Sequence, residues 1–298
     1  MVFLFNSRIN ETDYNGRVID HELLESKTLQ ERLGFEKMLS KKKKRVHNHS
    51  WESDPFRLVE PSKSTPPFKV CISQKAMITI DFHSHLAHTE VIGLFGGSFD
   101  LTNKTLSIEI AYPCNSVSTS IQCEMDPISE MKAREYFIEL GIRVVGWYHS
   151  HPTFVPDPSI RDIENQAAYQ CLFRREDGIE PFIGAIVNPY HENQISRISF
   201  VGISDIWSCD GFRVPYSYDV GLIEFCDIDV LIGELESLLE RYNDYEHKID
   251  MSETFLQVGE TQISRLDKMV ASLDSHLGEM EMEKRFGFLN QIRELFQS

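Results

Sequence analysis

The sequence predicts an α/β fold, a sandwich of a mixed sheet and helices, continued by a helical C-terminal extension. Three observations predict it. Short β-branched and aromatic runs alternate with helix-capping signals between residues 68 and 203. Two of these runs, 91–95 and 105–112, follow one another with no helix between them, which favours a mixed sheet over a doubly wound one. Beyond residue 222, apolar side chains recur every three or four positions, the period of amphipathic helices.

Residues 1–67 are polar and punctuated late by Pro55, Pro61, Pro66 and Pro67, with only weak apolar periodicity over 22–40. They read as a flexible polar extension that sets location and targeting rather than chemistry. Its basic run, Lys41-Lys42-Lys43-Lys44-Arg45, reads either as a solvated charge cluster or as a nuclear-import signal. From Phe68 the texture changes. Residues 68–72 alternate as a short strand, and Ser73 is placed to cap a helix running to about His85. A buried strand over 91–95 ends at Gly96-Gly97, and 105–112 alternates again. Asp126-Pro127 starts a helix that Gly141 stops. A strand over 142–148, a helix from Ser159 to about Phe173, and strands over 182–187 and 198–203 complete a candidate α/β domain, 68–222. Region 223–298 is read as helical: Ile228, Leu231, Leu235, Leu238, Tyr242 and Tyr245 form one stripe, and Ile263, Leu266, Val270, Leu273 and Leu277 a second. A third, weaker helix is expected over 282–296.

Composition narrows the function classes. With 298 residues, 41% of them hydrophobic, the chain has material for a real core. No apolar run approaches the length of a membrane-spanning helix, and the apolar start is broken at once by Asn6 and Arg8, too short for a signal peptide. Six cysteines without a C-x-x-C pair exclude cysteine ribbons and read as reduced, intracellular thiols. A net charge of −16 argues against a basic nucleic-acid groove, so no sequence-specific nucleic-acid binding is expected. The surplus is concentrated in residues 221–298, with 17 acids against 7 bases. It suits a basic partner, and equally a soluble surface.

The chemistry sits between His149 and Asp162. A strand ending in His149-Ser150-His151 sends both imidazoles to one face, because strand side chains repeat every second residue. A Pro-rich loop follows, and the next helix presents Asp162 in its first turn. Two imidazoles and one carboxylate suit Zn2+ with a fourth position open, the coordination of a catalytic site. The bland alternative is that Ser159-x-x-Asp162 is a helix cap and H-x-H an accident. A decoy, His83-Ser84-His85, lies in a helical stretch and lacks the downstream Ser and Asp; His83, His85 and His88 read as ordinary surface or partly buried histidines. Cys114 and Cys123 read as small buried thiols, and Trp147 and Tyr148 as core and strand-face residues, with Trp147 close enough to shape the pocket.

H-S-H-P, then S-x-x-D, after Gly146-Trp147-Tyr148, resembles the JAMM (MPN-plus) metalloprotease motif. The family pattern has an upstream glutamate, which Glu90 matches. The resemblance covers about 68–205 and implies the cytidine-deaminase-like JAMM/MPN sandwich. It further implies that His149, His151 and Asp162 hold a catalytic zinc. Glu90 would be the general base for the attacking water, and Ser159 would bond the developing oxyanion. The family hydrolyses isopeptide bonds between a ubiquitin C-terminus and a lysine. Ala111 to Ser116, Gln122 to Pro127, Gly146 to His151, Arg161-Asp162-Ile163 and Arg213 to Tyr216 resemble its branch of Myb-like, SWIRM and MPN-domain histone deubiquitinases. That branch implies a nuclear enzyme whose partners are ubiquitin and monoubiquitinated histone H2-A. Its SANT and SWIRM modules need more chain than 1–67, so the sequence reads as a piece or a shortened form. The alternatives are a polyubiquitin-chain-specific JAMM deubiquitinase and a non-catalytic MPN scaffold, binding partner subunits through the helices at 228–277.

Overall fold

The computed structural model describes residues 54–119, 122–192, 195–223, 227–258 and 260–297. The weak helix expected over 22–40 and the basic run at 41–45 lie outside the described residues. In chain order the elements are β1 (Lys69–Ser73), α1 (Gln74–Ser84), β2 (Ile92–Asp100), β3 (Thr105–Cys114), β4 (Ser116–Thr119), β5 (Gln122–Met125), α2 (Pro127–Glu139) and β6 (Arg143–Ser150). There follow α3 (Ile160–Leu172), β7 (Ile183–Asn188), β8 (Arg197–Trp207), β9 (Arg213–Tyr218), β10 (Val220–Ile223), α4 (Ile228–Glu240), β11 (Thr254–Val258), β12 (Thr261–Ser264), α5 (Arg265–Ser275) and α6 (Met282–Glu294).

Eight strands form one mixed sheet in the order β10-β1-β3-β2-β6-β7-β8-β9. β1 runs parallel to β10 and β3, and β6 parallel to β7, while the other pairs are antiparallel. The sheet curls: Phe68, entering β1, packs its ring 5.1 Å from Tyr218 at the end of the far edge strand β9. Inside the curl Val70, Ile72, Phe95, Leu106, Ile108, Val145, Tyr148 and Phe200 form one core with Ala76 and Ile80 of α1. On the other face Leu94, Trp147, Phe182 and Ile186 meet Phe137 of α2, and Tyr169 of α3 and Phe173 just past its end stack on Phe182. This α/β sandwich agrees with the expected class.

Three differences from the sequence reading have physical causes. β9 and β10 are not among the strands expected from the sequence; each carries a residue disfavoured in strand interiors, Pro215 and Gly221. Pro215 is tolerated because β9 is an edge strand: on its outer side the Pro215 carbonyl accepts from Ser62 N–H, and the amide used there is that of Ser217. The region after residue 222 is not helical throughout, since the hairpin β11–β12 separates α4 from α5. Tyr242 and Tyr245 lie beyond α4 in turns, and Tyr242 still packs with the helices. The histidines at the end of α1 are not surface groups either: His83 and His85 are fully buried, while His88 is exposed.

That burial has a direct cause. α1 is apolar on two sides, giving Ala76 and Ile80 to the sheet and Ile78 and Phe82 to a second core. Leu231, Leu235 and Leu238 of α4 and Met269, Val270 and Leu273 of α5 fill that second core, so the apolar stripes of the C-terminal region are occupied by α1. His83 bridges the hydroxyls of Tyr148 (2.8 Å) and Tyr242 (2.6 Å). Buried Asp81 accepts from Ser196, Ser272 and His276. Burial alone would raise the Asp81 carboxyl, but the bonds from His276 and His85 hold it well below the usual carboxylate range.

The expected boundary at 67/68 falls inside the packed unit. Residues 54–62 run as a strap over α3 and β9, with Leu58 bridged antiparallel to Ser159 and Ser62 bridged to Tyr216.

Candidate metal centre

The site is built at the end of β6. Side chains of that strand alternate, so Trp147 and His149 share one face and Tyr148 and Ser150 the other. Trp147 pairs across the sheet with Gly184, over which its indole lies. A Cβ at 184 would stand 2.6 Å from Trp147 Cζ2, so only glycine leaves the ring its place. His149 stacks on that indole, with centroids 5.0 Å apart and planes 8° from parallel. His151 donates its backbone N–H to Val187 O (2.7 Å), and its Nδ1 bonds Val155 O (2.9 Å). The carbonyl requires a proton on Nδ1, which leaves the Nε2 lone pair for a ligand.

Asp162 comes from α3. Ser159 caps the helix: Asp162 N–H donates to Ser159 Oγ (3.2 Å), and Ser159 N–H donates to Asp162 Oδ2 (2.8 Å). The Ser159 hydroxyl also donates to Asp162 Oδ2 (2.7 Å). The bland reading and the chemical one therefore coincide in one motif: the capping box is what aims the carboxylate.

Glu90 lies just ahead of β2. The antiparallel register pairs Ile92 with His149, and continuing it places Glu90 opposite His151 on the imidazole face. Ser150, pointing the other way, accepts the Val91 N–H on its Oγ and donates its own N–H to Val91 O, both at 2.9 Å. Sequence reasoning passed over Ser150, whose position between the two histidines was the available signal.

The structure thus gathers all five candidate residues at one place. Ligand atoms of His149, His151 and Asp162 lie within 4.8 Å of one another, with the two Nε2 atoms 2.9 Å apart and His149 Nε2 3.9 Å from Asp162 Oδ2. Burial lowers His149 to about 4, outweighing the opposing pull of Asp162, so at neutral pH its imidazole is uncharged and able to ligate. Burial, with the Asp162 charge adding to it, raises the Glu90 carboxyl to about 7. The uncharged His149 imidazole, the Nε2 of His151 and a carboxylate, converging in a largely buried pocket, fit a zinc ion with an open position. The decoy histidines are elsewhere: His83 and His85 point in different directions, towards Tyr148 and the Asp81 cluster. Cys114 is buried, and burial raises its thiol to about 11, which makes it inert; nothing is described of the Cys123 side chain.

Residues 67–174 match the model of the JAB1/Mov34/MPN/PAD-1 ubiquitin protease family, the stretch that carries all five candidate residues. Among curated relatives, the chain is similar to human Deubiquitinase MYSM1, 34% identical over 96% of this chain and 35% of the relative. The histone H2-A deubiquitinase MYSM1 of Xenopus laevis is 35% identical over 82% of this chain and 31% of its own length. The Branchiostoma floridae protein of the same name is 39% identical over 78% of this chain and 25% of its own. The chain therefore spans between a quarter and about a third of the length of these relatives.

Proposed function

We propose that this chain is a zinc-dependent deubiquitinase, hydrolysing the isopeptide bond between the ubiquitin C-terminus and a lysine of histone H2-A in the nucleus. The observation that carries it is the convergence of His149, His151 and Asp162 with a partly buried glutamate beside them. The names of the relatives support the histone as substrate. His149, His151 and Asp162 hold the metal. Zinc supplies Lewis acidity, making water acidic near neutral pH and polarising a carbonyl oxygen.

The remaining steps belong to the chain. Glu90 takes the proton of the attacking water and returns it to the departing lysine amine. A carboxyl raised towards neutrality by burial suits a group that must both accept and release a proton. Ser159 turns its hydroxyl from Asp162 to the oxyanion as charge develops there. Its backbone N–H keeps hold of Asp162 Oδ2 meanwhile, so the ligand does not move with it.

The test sets mononucleosomes ubiquitinated on H2-A against diubiquitins of several linkages, alongside elemental analysis of the purified chain. Zinc near one per chain and faster cleavage of the nucleosome are expected. Faster cleavage of a free chain would transfer the proposal to a polyubiquitin substrate, and a zinc-free, inactive protein would leave a scaffold.

A further inference from the structure

We infer that residues 55–59, outside the stretch matched to the family model, belong to the positioning machinery of the site: they complete the N-terminus of α3 and so fix Ser159 and Asp162. The inference rests on the proposed isopeptidase function, which gives those two residues their roles.

A helix begins with four backbone N–H groups that have no partner in the helix. In α3 these are the amides of Ser159, Ile160, Arg161 and Asp162, since Ile163 N–H already donates to Ser159 O at 3.0 Å. The capping box takes the first and the last. The strap takes the two between: Ile160 N–H donates to Arg57 O (3.1 Å) and Arg161 N–H to Pro55 O (3.0 Å). One further bond, from Val59 N–H to Pro158 O (2.9 Å), and the Leu58–Ser159 bridge hold strap and helix start together. The candidate ligand and the candidate oxyanion donor therefore sit on a helix end whose backbone is closed half by itself and half by the strap.

The strap is fastened on its far side. Arg57 donates to Asp210 Oδ2 at 2.8 Å and lies 5.3 Å over the Phe212 ring, both in the β8–β9 loop. Ser62 N–H donates to Pro215 O at 2.8 Å, extending the edge of β9. Leu58 and Val59 are only half-buried and Arg57 is exposed, so this segment is held by hydrogen bonds and one ion pair more than by a core. Releasing it returns the Ile160 and Arg161 amides to water and frays the turn that aims Asp162. A misplacement of about 1 Å at such a site costs on the order of 100-fold in rate. The sequence reading, which gave the whole of 1–67 a role outside the chemistry, is revised at these five residues.

The test uses the full chain with Val59→Pro, which deletes the N–H bonded to Pro158, and with Arg57→Asp, which turns the Asp210 contact repulsive. The double exchange R57D/D210R serves as rescue. Three quantities are read: hydrogen exchange of the Ile160 and Arg161 amides, zinc affinity by competition with a chromogenic chelator, and kcat and KM on a ubiquitin–lysine isopeptide substrate. Either single variant should speed exchange at both amides about tenfold or more and weaken zinc binding about tenfold. It should lower kcat by roughly 10–100-fold with KM changed less than about twofold, and the double exchange should recover most of each loss. Faster exchange with wild-type zinc affinity and kcat would overturn the inference. So would unchanged exchange in both variants. A wild-type chain that neither binds zinc nor cleaves the isopeptide sinks the proposed function instead, before any variant is compared.

Discussion

Val91 and Ser150 hold each other by two hydrogen bonds, backbone to side chain in one direction and backbone to backbone in the other, each 2.9 Å long. Ser150 stands between the candidate ligands His149 and His151, and Val91 directly follows the candidate base Glu90. One serine thus fastens the segment bearing the candidate base to the strand bearing the candidate metal ligands.

Ser150→Ala should retain the fold, because the Ser150 N–H still reaches Val91 O. It strands the Val91 amide in the interior, at a cost of about 1–3 kcal/mol. Zinc binding should persist, since no ligand is touched, while kcat falls by roughly tenfold as Glu90 loses its fixed distance from the imidazoles. Paired zinc analysis and steady-state kinetics check this; a wild-type kcat would show that the clamp is structural only.

Glu90→Gln separates proton transfer from shape. Gln is nearly isosteric but cannot take a proton from water, so the loss should be on the order of 10²–10⁴-fold in kcat with zinc retained. Near-native turnover would return Glu90 to the role of a partly buried structural acid and require another base.

How far the sequence disclosed this site follows from the range of each interaction. The strand-end H-x-H and the Ser159–Asp162 pair are local patterns, so their positions could be read from residue spacing. His83 and His85 were misplaced because nothing within α1 itself states that α4 and α5 will cover it. The same holds for Gly184, which matters only because Trp147 is its cross-strand neighbour. The strap is the extreme case. Its decisive groups are the carbonyls of Pro55 and Arg57, and backbone carbonyls leave no trace in residue identity.

Lys268 gives a prediction on stability. It is fully buried on α5, with no hydrogen-bond partner for Nζ among the described residues; it faces the Phe255 ring at 5.6 Å and feels the Asp81 charge. Burial lowers it to about 8, against a partial opposing pull from Asp81. Because the folded value lies below the unfolded one, the unfolded chain holds the proton more tightly, and the charged lysine costs stability in full below pH 8. That cost fades as pH rises from about 8 towards 10.5, where the folded lysine is neutral. Lys268→Met should therefore stabilise the protein at pH 7, by on the order of 1 kcal/mol. The advantage should shrink steadily in melts taken towards pH 10. An advantage that grows with pH would mean the ammonium is satisfied by groups not seen around it.

Removing the metal should abolish activity while leaving the fold. The candidate ligands are positioned by protein contacts: His149 by the Trp147 stack, His151 by Val155 O, and Asp162 by Ser159. The apolar cores that carry the sheet involve none of the three. In structural zinc sites the metal supplies the folding energy; here the cores on both faces of the sheet supply it without help. Dialysis against a strong chelator should lower the melting temperature by only a few degrees, on the scale of a ligand lost from the native state. Activity should vanish with the zinc and return on its replacement. In a His149→Ala, His151→Ala double variant, zinc content should fall to background with the melt close to that of the chelated wild type. Full zinc occupancy in that double variant would remove the centre from these residues. Unfolding on chelation would make the metal structural, and the open coordination position would lose its argument.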